Sequence, residues 1–184
     1  TAPMETMDLP ADEAIAVSAP TFALTTTDGM TALRWAEPLA SDVHVERTMD
    51  EAGGSLFVKP GVGLVIPKYA LGDDEDITIT SKAGEDVAFE FGPHGLHFKR
   101  MVSVRISVSA LANQDEILKL AKQAMRWSLS DNGTRIELGS LTAIYYAEQD
   151  GELVEVIESF PVFLVDGAYL EFETEHFSGY ALAA

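Results

Sequence analysis

Val102-Ser103-Val104-Arg105-Ile106-Ser107-Val108-Ser109 is the stretch whose reading decides the fold. Val102, Val104, Ile106 and Val108 fall on one side of an extended chain, and Ser103, Arg105, Ser107 and Ser109 fall on the other. A strict period of two marks a half-buried antiparallel strand. The same pattern appears on both sides of it. Val87, Phe89 and Phe91 share one face, with Ala88 and Glu90 opposite, and Leu170, Phe172 and Thr174 alternate with Tyr169, Glu171 and Glu173.

Shorter β signals fill the remainder. Strands are expected at Phe22–Thr27, Leu33–Trp35, Val43–Arg47, Leu56–Val58, Gly63–Ile66, Ile77–Thr80, Leu141–Ala147, Leu153–Ile157 and Val162–Val165. Asp28-Gly29, Gly53-Gly54, Pro60-Gly61, Asp131-Asn132-Gly133, Asp150-Gly151 and Asp166-Gly167 punctuate them as turns. About ten to twelve strands at this spacing predict an antiparallel β-sandwich or barrel. One helix interrupts them, over about residues 114–127. Asn113 is a good N-cap with Glu116 placed for a capping box, and Ile117, Leu118, Leu120, Ala121, Ala124 and Met125 form an apolar face. Core packing is the expected role of this helix. The fold class is therefore all-β, a sandwich with one inserted α-helix.

Composition limits what such a domain does. The 184 residues suffice for one core with a tail. Thirty acidic against twelve basic residues give a net charge of −18. That argues strongly against nucleic-acid binding, which needs clustered Lys and Arg, and disfavours anionic lipid. The absence of cysteine removes disulfides, thiolate metal sites and cysteine nucleophiles. No stretch has the roughly 20 apolar residues of a membrane helix. Residues 1–20, with Pro3, Pro10 and Pro20, read as an N-terminal tail or linker, and 21–184 as one domain. The opening Thr1-Ala2-Pro3 sets the expectation of a processed or truncated N-terminus, with a lipid anchor on a precursor as one possibility.

Candidate chemistry is sparse. His94 and His97 have the spacing of a zinc pair but lack a third ligand, and an exposed turn explains them more cheaply. Asp73, Asp74 and Asp76, with Glu75 among them, offer oxygen atoms for calcium, but their spacing is not an EF-hand and a solvated loop is the better explanation. Gly61-Val62-Gly63 lacks the third glycine of a dinucleotide loop. No cofactor is expected, no metal is expected, and no turnover enzyme is indicated.

Two stretches, Gly53-Gly54-Ser55-Leu56-Phe57-Val58-Lys59-Pro60-Gly61-Val62-Gly63-Leu64-Val65-Ile66-Pro67 and Phe91-Gly92-Pro93-His94-Gly95-Leu96-His97-Phe98, together resemble the ZU-five domain. This β-sandwich module occurs in zonula occludens proteins, netrin receptors and ankyrins, with related copies in bacterial envelope proteins. The resemblance covers roughly residues 48–111 well and 140–184 more loosely. Gly92, Pro93, His94, Gly95, Leu96 and Phe98 carry its most specific motif, in which Leu96 and Phe98 re-enter the core at period two. Met101-Val102 replaces the family's usual Pro-Val step, the helix looks like an insertion, and residues 1–47 lie outside the match.

The resemblance implies an interaction or surface-display module, extracellular or at a bacterial cell surface, with a protein partner. The N-terminal tail adds the expectation of a self-assembling, filament-forming subunit whose partners are other copies of the chain. Residues 12–27, Asp12 to Thr27, have the composition to add as a strand to a neighbour's sheet. The alternative is a monomeric domain that binds protein or glycan through Trp35, Tyr145 and Tyr146, unless these belong to the core. A third possibility also follows from the resemblance, because some family members cut themselves at a His-Phe-Ser triplet. Here His176, Phe177 and Ser178 supply it, with Ser178 Oγ attacking the Phe177 carbonyl and His176 as base. A last-strand segment with Phe177 in the core and Ser178-Gly179 as a bulge explains the triplet more simply.

Overall fold

The computed structural model describes residues 32–127, 135–149 and 152–184, with backbone alone at 125–127, 146–149 and 152–156. The tail, the expected strand Phe22–Thr27 and the Asp131–Gly133 and Asp150-Gly151 turns lie outside the described residues. The described strands are β1 (Arg34–Leu39), β2 (Val43–Met49), β3 (Gly54–Val58), β4 (Val62–Ile66), β5 (Glu75–Ser81), β6 (Gly84–Asp86), β7 (Ala88–Gly92) and β8 (His97–Ser107). After helix α1 (Gln114–Trp127) come β9 (Arg135–Gln149), β10 (Glu152–Val165), β11 (Tyr169–His176) and β12 (Gly179–Ala183). The chain is all-β with one helix, as the alternation predicts.

The two layers expected of a sandwich are walls of one rolled sheet. Ten strands join in the order β2-β5-β7-β12-β9-β10-β11-β8-β4-β3, every pairing antiparallel, and β1 and β6 form a separate pair. The terminal strands β2 and β3 are joined by a turn in which Gly53 N–H donates to the Asp50 carbonyl (3.0 Å). They share no ladder, but the Arg47 side chain reaches across and donates to the Ser55 carbonyl (3.2 Å). The sheet is thus a barrel short of closure at one seam.

Rolling puts one side of each strand inside. Val102, Val104 and Ile106 of β8, Ile77 and Ile79 of β5, and Leu170 and Phe172 of β11 are all completely buried. Phe89, Phe91, Phe172 and Tyr180 pack at the centre, with Phe172 and Tyr180 ring centroids 5.3 Å apart. Each such side chain contributes about 1.5–3 kcal/mol by leaving water. Trp35 also lies there, 2% exposed, which removes it from any binding face.

Helix α1 has the bounds its periodicity predicts, and it buries Ile117 and Ala121 in the core. Its start differs in detail from a capping box. The Ile117 N–H donates to the Asn113 carbonyl (3.1 Å), while the Asn113 side-chain amide donates to the Glu116 carboxylate (3.0 Å). A second correction concerns Leu153–Ile157 and Val162–Val165. They are not two strands but parts of β10, which runs through Pro161. The register with β9 shifts between Pro161 and Phe163, and such a bulge accommodates a residue with no N–H to give the ladder.

Candidate functional site

The Gly92–Phe98 turn and the His176–Ser178 triplet, far apart in sequence, meet at the end of the barrel where β7 leads to β8 and β11 to β12. Phe177 N–H donates to the Leu96 carbonyl (3.0 Å), and Phe91 N–H donates to the Ser178 carbonyl (3.0 Å). Gly95 N–H points at the Phe177 carbonyl (3.4 Å). His176 and His97 are ladder partners. Gly95 makes the turn possible because its φ is +77°, in the left-handed region that side chains with a Cβ disfavour. Gly92 is needed for another reason. A Cβ there would come within 2.4 Å of Thr78 Oγ1 on β5. The Gly92–Pro93 peptide is cis.

The side chains complete the junction. Phe177 is 2% exposed. Its ring stacks on Phe91 (5.1 Å between centroids) and meets Phe98 edge-on (4.6 Å). Leu96 is partly buried against the same core, so the expected period-two return of Leu96 and Phe98 is seen. Pro93, His94 and Gly95 form the exposed rim of the turn.

His176 sits in a polar network at the other side of Phe177. Its Nε2 lies 3.3 Å from Glu158 Oε2 on β10, and its Nδ1 lies 3.3 Å from the Tyr180 hydroxyl. Tyr180 donates to the His176 carbonyl (2.7 Å), and so does Thr174 Oγ1 (3.1 Å). The Thr174 and Tyr180 hydroxyls are themselves 2.9 Å apart. Burial pushes the Tyr180 phenol well above its ordinary pKa, and the charge of Glu158 adds to the rise, while the hydrogen bond with Thr174 opposes it. Thr174, Tyr180 and Glu158 are members of this site that motif reading passes over. The alternation of Thr174 and His176 along one strand is the signal that would have found the first.

This arrangement bears directly on self-cleavage. Both imidazole nitrogens face Glu158 and Tyr180, and among the described residues no hydrogen bond joins the ring to Ser178 Oγ. Residues after the Phe177–Ser178 bond form β12, which is hydrogen-bonded between β7 and β9. Scission there would leave Ser178–Ala184 held in the middle of the sheet.

The other candidates lie apart. His97 faces His176, with ring centroids 6.0 Å apart, and His94 is exposed on the turn. Asp73, Asp74 and Asp76 are exposed at the approach to β5, and Thr48 Oγ1 donates to Asp76 (2.6 Å). Among the described residues no three acidic or histidine side chains converge as a metal cage. Tyr145 is half-buried near His176 (5.3 Å between rings), and the Tyr146 side chain lies outside the described residues. No described helix is long and apolar enough to cross a membrane. The chain matches no protein-family model and no curated protein sequence.

Proposed function

We propose that this chain is a non-catalytic structural or interaction module of the ZU-five type, displayed outside the cell, that associates with protein partners by strand addition. The observation that carries the reading is the seam of the rolled sheet. Among the described residues β2 is paired only to β5 and β3 only to β4, so each presents an unpaired backbone edge. Unpaired edges are templates for another strand. Residues 12–27 of another copy are the proposed donor. The meeting of the Gly92–Phe98 and His176–Ser178 motifs supports the family reading, because both serve one packed junction. Light scattering on the full chain and on a chain lacking residues 1–20 tests it. Assemblies that vanish on truncation support tail-mediated association. A monomer in both cases sinks it and leaves a monomeric binding domain.

A second reading has one observation in its favour. The Gly95 N–H aimed at the Phe177 carbonyl is placed as an oxyanion donor would be for an N-to-O acyl shift at Ser178. Its test is the intact mass of the purified chain over days, beside Ser178→Ala. Scission at Phe177–Ser178 in the wild type alone would establish it, and an unchanged mass excludes it.

A further inference from the structure

The long β9–β10 hairpin leaves the barrel. β12 holds β9 only over Thr142–Tyr145, and β11 holds β10 only over Phe163–Val165. The β9–β10 ladder nevertheless continues out to Gln149 and Glu152. Beyond those attachments the hairpin is a two-stranded arm, and neither outer edge has a strand partner among the described residues. At about 3.3 Å per residue, the edge of β10 from Glu152 to Ile157 is about 20 Å long, and it ends where Glu158 meets His176 of β11 (3.3 Å).

The sequence of this arm is one-signed. Arg135 is the last Lys or Arg in the chain, while Glu148, Glu152, Glu155 and Glu158 lie on the two strands. Apolar residues run between them, and Ile157 stands 51% exposed. Open edges are ordinarily guarded against pairing by charge and by bulges. Here bulges fall between Leu153 and Glu155 and between Val156 and Glu158. The charge discriminates further. A second arm would bring the same carboxylates, and residues 1–31 contain no Lys or Arg to offset them. Copies of this chain are therefore repelled from the arm, and a cationic strand is attracted.

We infer that the β10 edge of this arm is a docking site for an extended, basic segment of a different protein, which adds as a strand while its Lys or Arg side chains meet the arm's carboxylates. The inference rests on the interaction-module reading but not on tail-mediated assembly, so its failure and that of the tail donor are separable.

The probe is a labelled heptapeptide of alternating Lys and Val, titrated into the full chain and followed by fluorescence anisotropy at low salt. Two further peptides serve as controls, one with Glu in place of Lys and one with Pro in place of Val. The Lys–Val peptide is expected to bind and the Glu–Val peptide not to. The Lys–Pro peptide, which keeps the charge but loses half its N–H donors and favours a polyproline backbone over a ladder, is expected to bind about tenfold more weakly. The double variant Glu152→Gln/Glu155→Gln is expected to weaken Lys–Val binding about tenfold, and Asp73→Asn/Asp74→Asn, in the exposed loop before β5, less than about twofold. Circular dichroism melts confirm that both variants are folded. Absence of Lys–Val binding, equal binding of the Lys–Pro peptide, or equal weakening by the two double variants overturns the proposal. The tail truncation described above is read independently of all three.

Discussion

The ring of Phe177 meets the ring of Phe98 edge-on, with centroids 4.6 Å apart, and fastens the lead into β12 to the start of β8. Phe177→Ala is expected to cost about 3–5 kcal/mol, as large aromatic truncations in cores do. A double-mutant cycle with Phe98→Ala should return a coupling of about 0.5–1.5 kcal/mol. Urea denaturation of the four proteins gives both numbers. Additive losses would show that the two rings fill separate spaces.

Tyr180→Phe removes the hydroxyl shared by Thr174 and the His176 carbonyl, which keep their hydrogen bond to each other. A loss of about 0.5–1.5 kcal/mol is expected. The pH dependence follows from the raised phenol pKa. A group raised on folding stabilises fully below its unfolded value of 10.0 and loses that contribution as pH climbs past it. Wild-type stability should therefore fall more steeply than that of Tyr180→Phe above pH 10.0, measured as urea midpoints. Parallel curves would refute the assignment.

Gly95 and Gly92 should fail differently when replaced. An added Cβ at Gly95 meets nothing within 4 Å, so Gly95→Ala costs only the left-handed backbone, about 1–2 kcal/mol. Gly92→Ala drives its methyl into Thr78 Oγ1 and should cost more. Thr78→Ala is expected to recover part of the Gly92→Ala loss and none of the Gly95→Ala loss. Thermal melts of the two pairs decide the matter.

Glu171 is 5% exposed, although it points to the outside of the sheet. Arg105 Nε donates to it at 2.8 Å, and Arg135 lies 3.5 Å from its other oxygen. Glu171→Ala is expected to cost about 1.5–3 kcal/mol, the range for hydrogen bonds to charged groups. The loss should shrink when Arg105 is also replaced, since no half-covered guanidinium is then stranded. A cost near that of an ordinary surface pair, below about 1 kcal/mol, would show that the covered position of Glu171 adds nothing.

What the sequence made legible was whatever rests on local periodicity. The alternation from Val102 and the apolar face of Ile117, Leu118 and Ala121 produced a strand and a helix where they were expected. Pro161 misled, because a proline reads as a break and the bulge that accommodates it is a property of the partner strand. Strand β6, only three residues long, carries too little pattern to see. The site was half legible. Its two motifs were visible from their residue types, but their meeting depends on β12 entering between β7 and β9, which no local signal encodes. Glu158 joins His176 from a third strand for the same reason.

The place of β12 also orders events as the chain is made. Emerging from the ribosome N-terminus first, β7 and β9 are complete while the strand that must lie between them is still untranslated. The two halves of the sheet, β2-β5-β7 on one side and β9-β10-β11-β8-β4-β3 on the other, have no ladder to join them until then. Their facing edges stay open until Gly179–Ala183 have emerged and folded in, and open strand edges are what makes a partly folded β chain prone to wrong pairing.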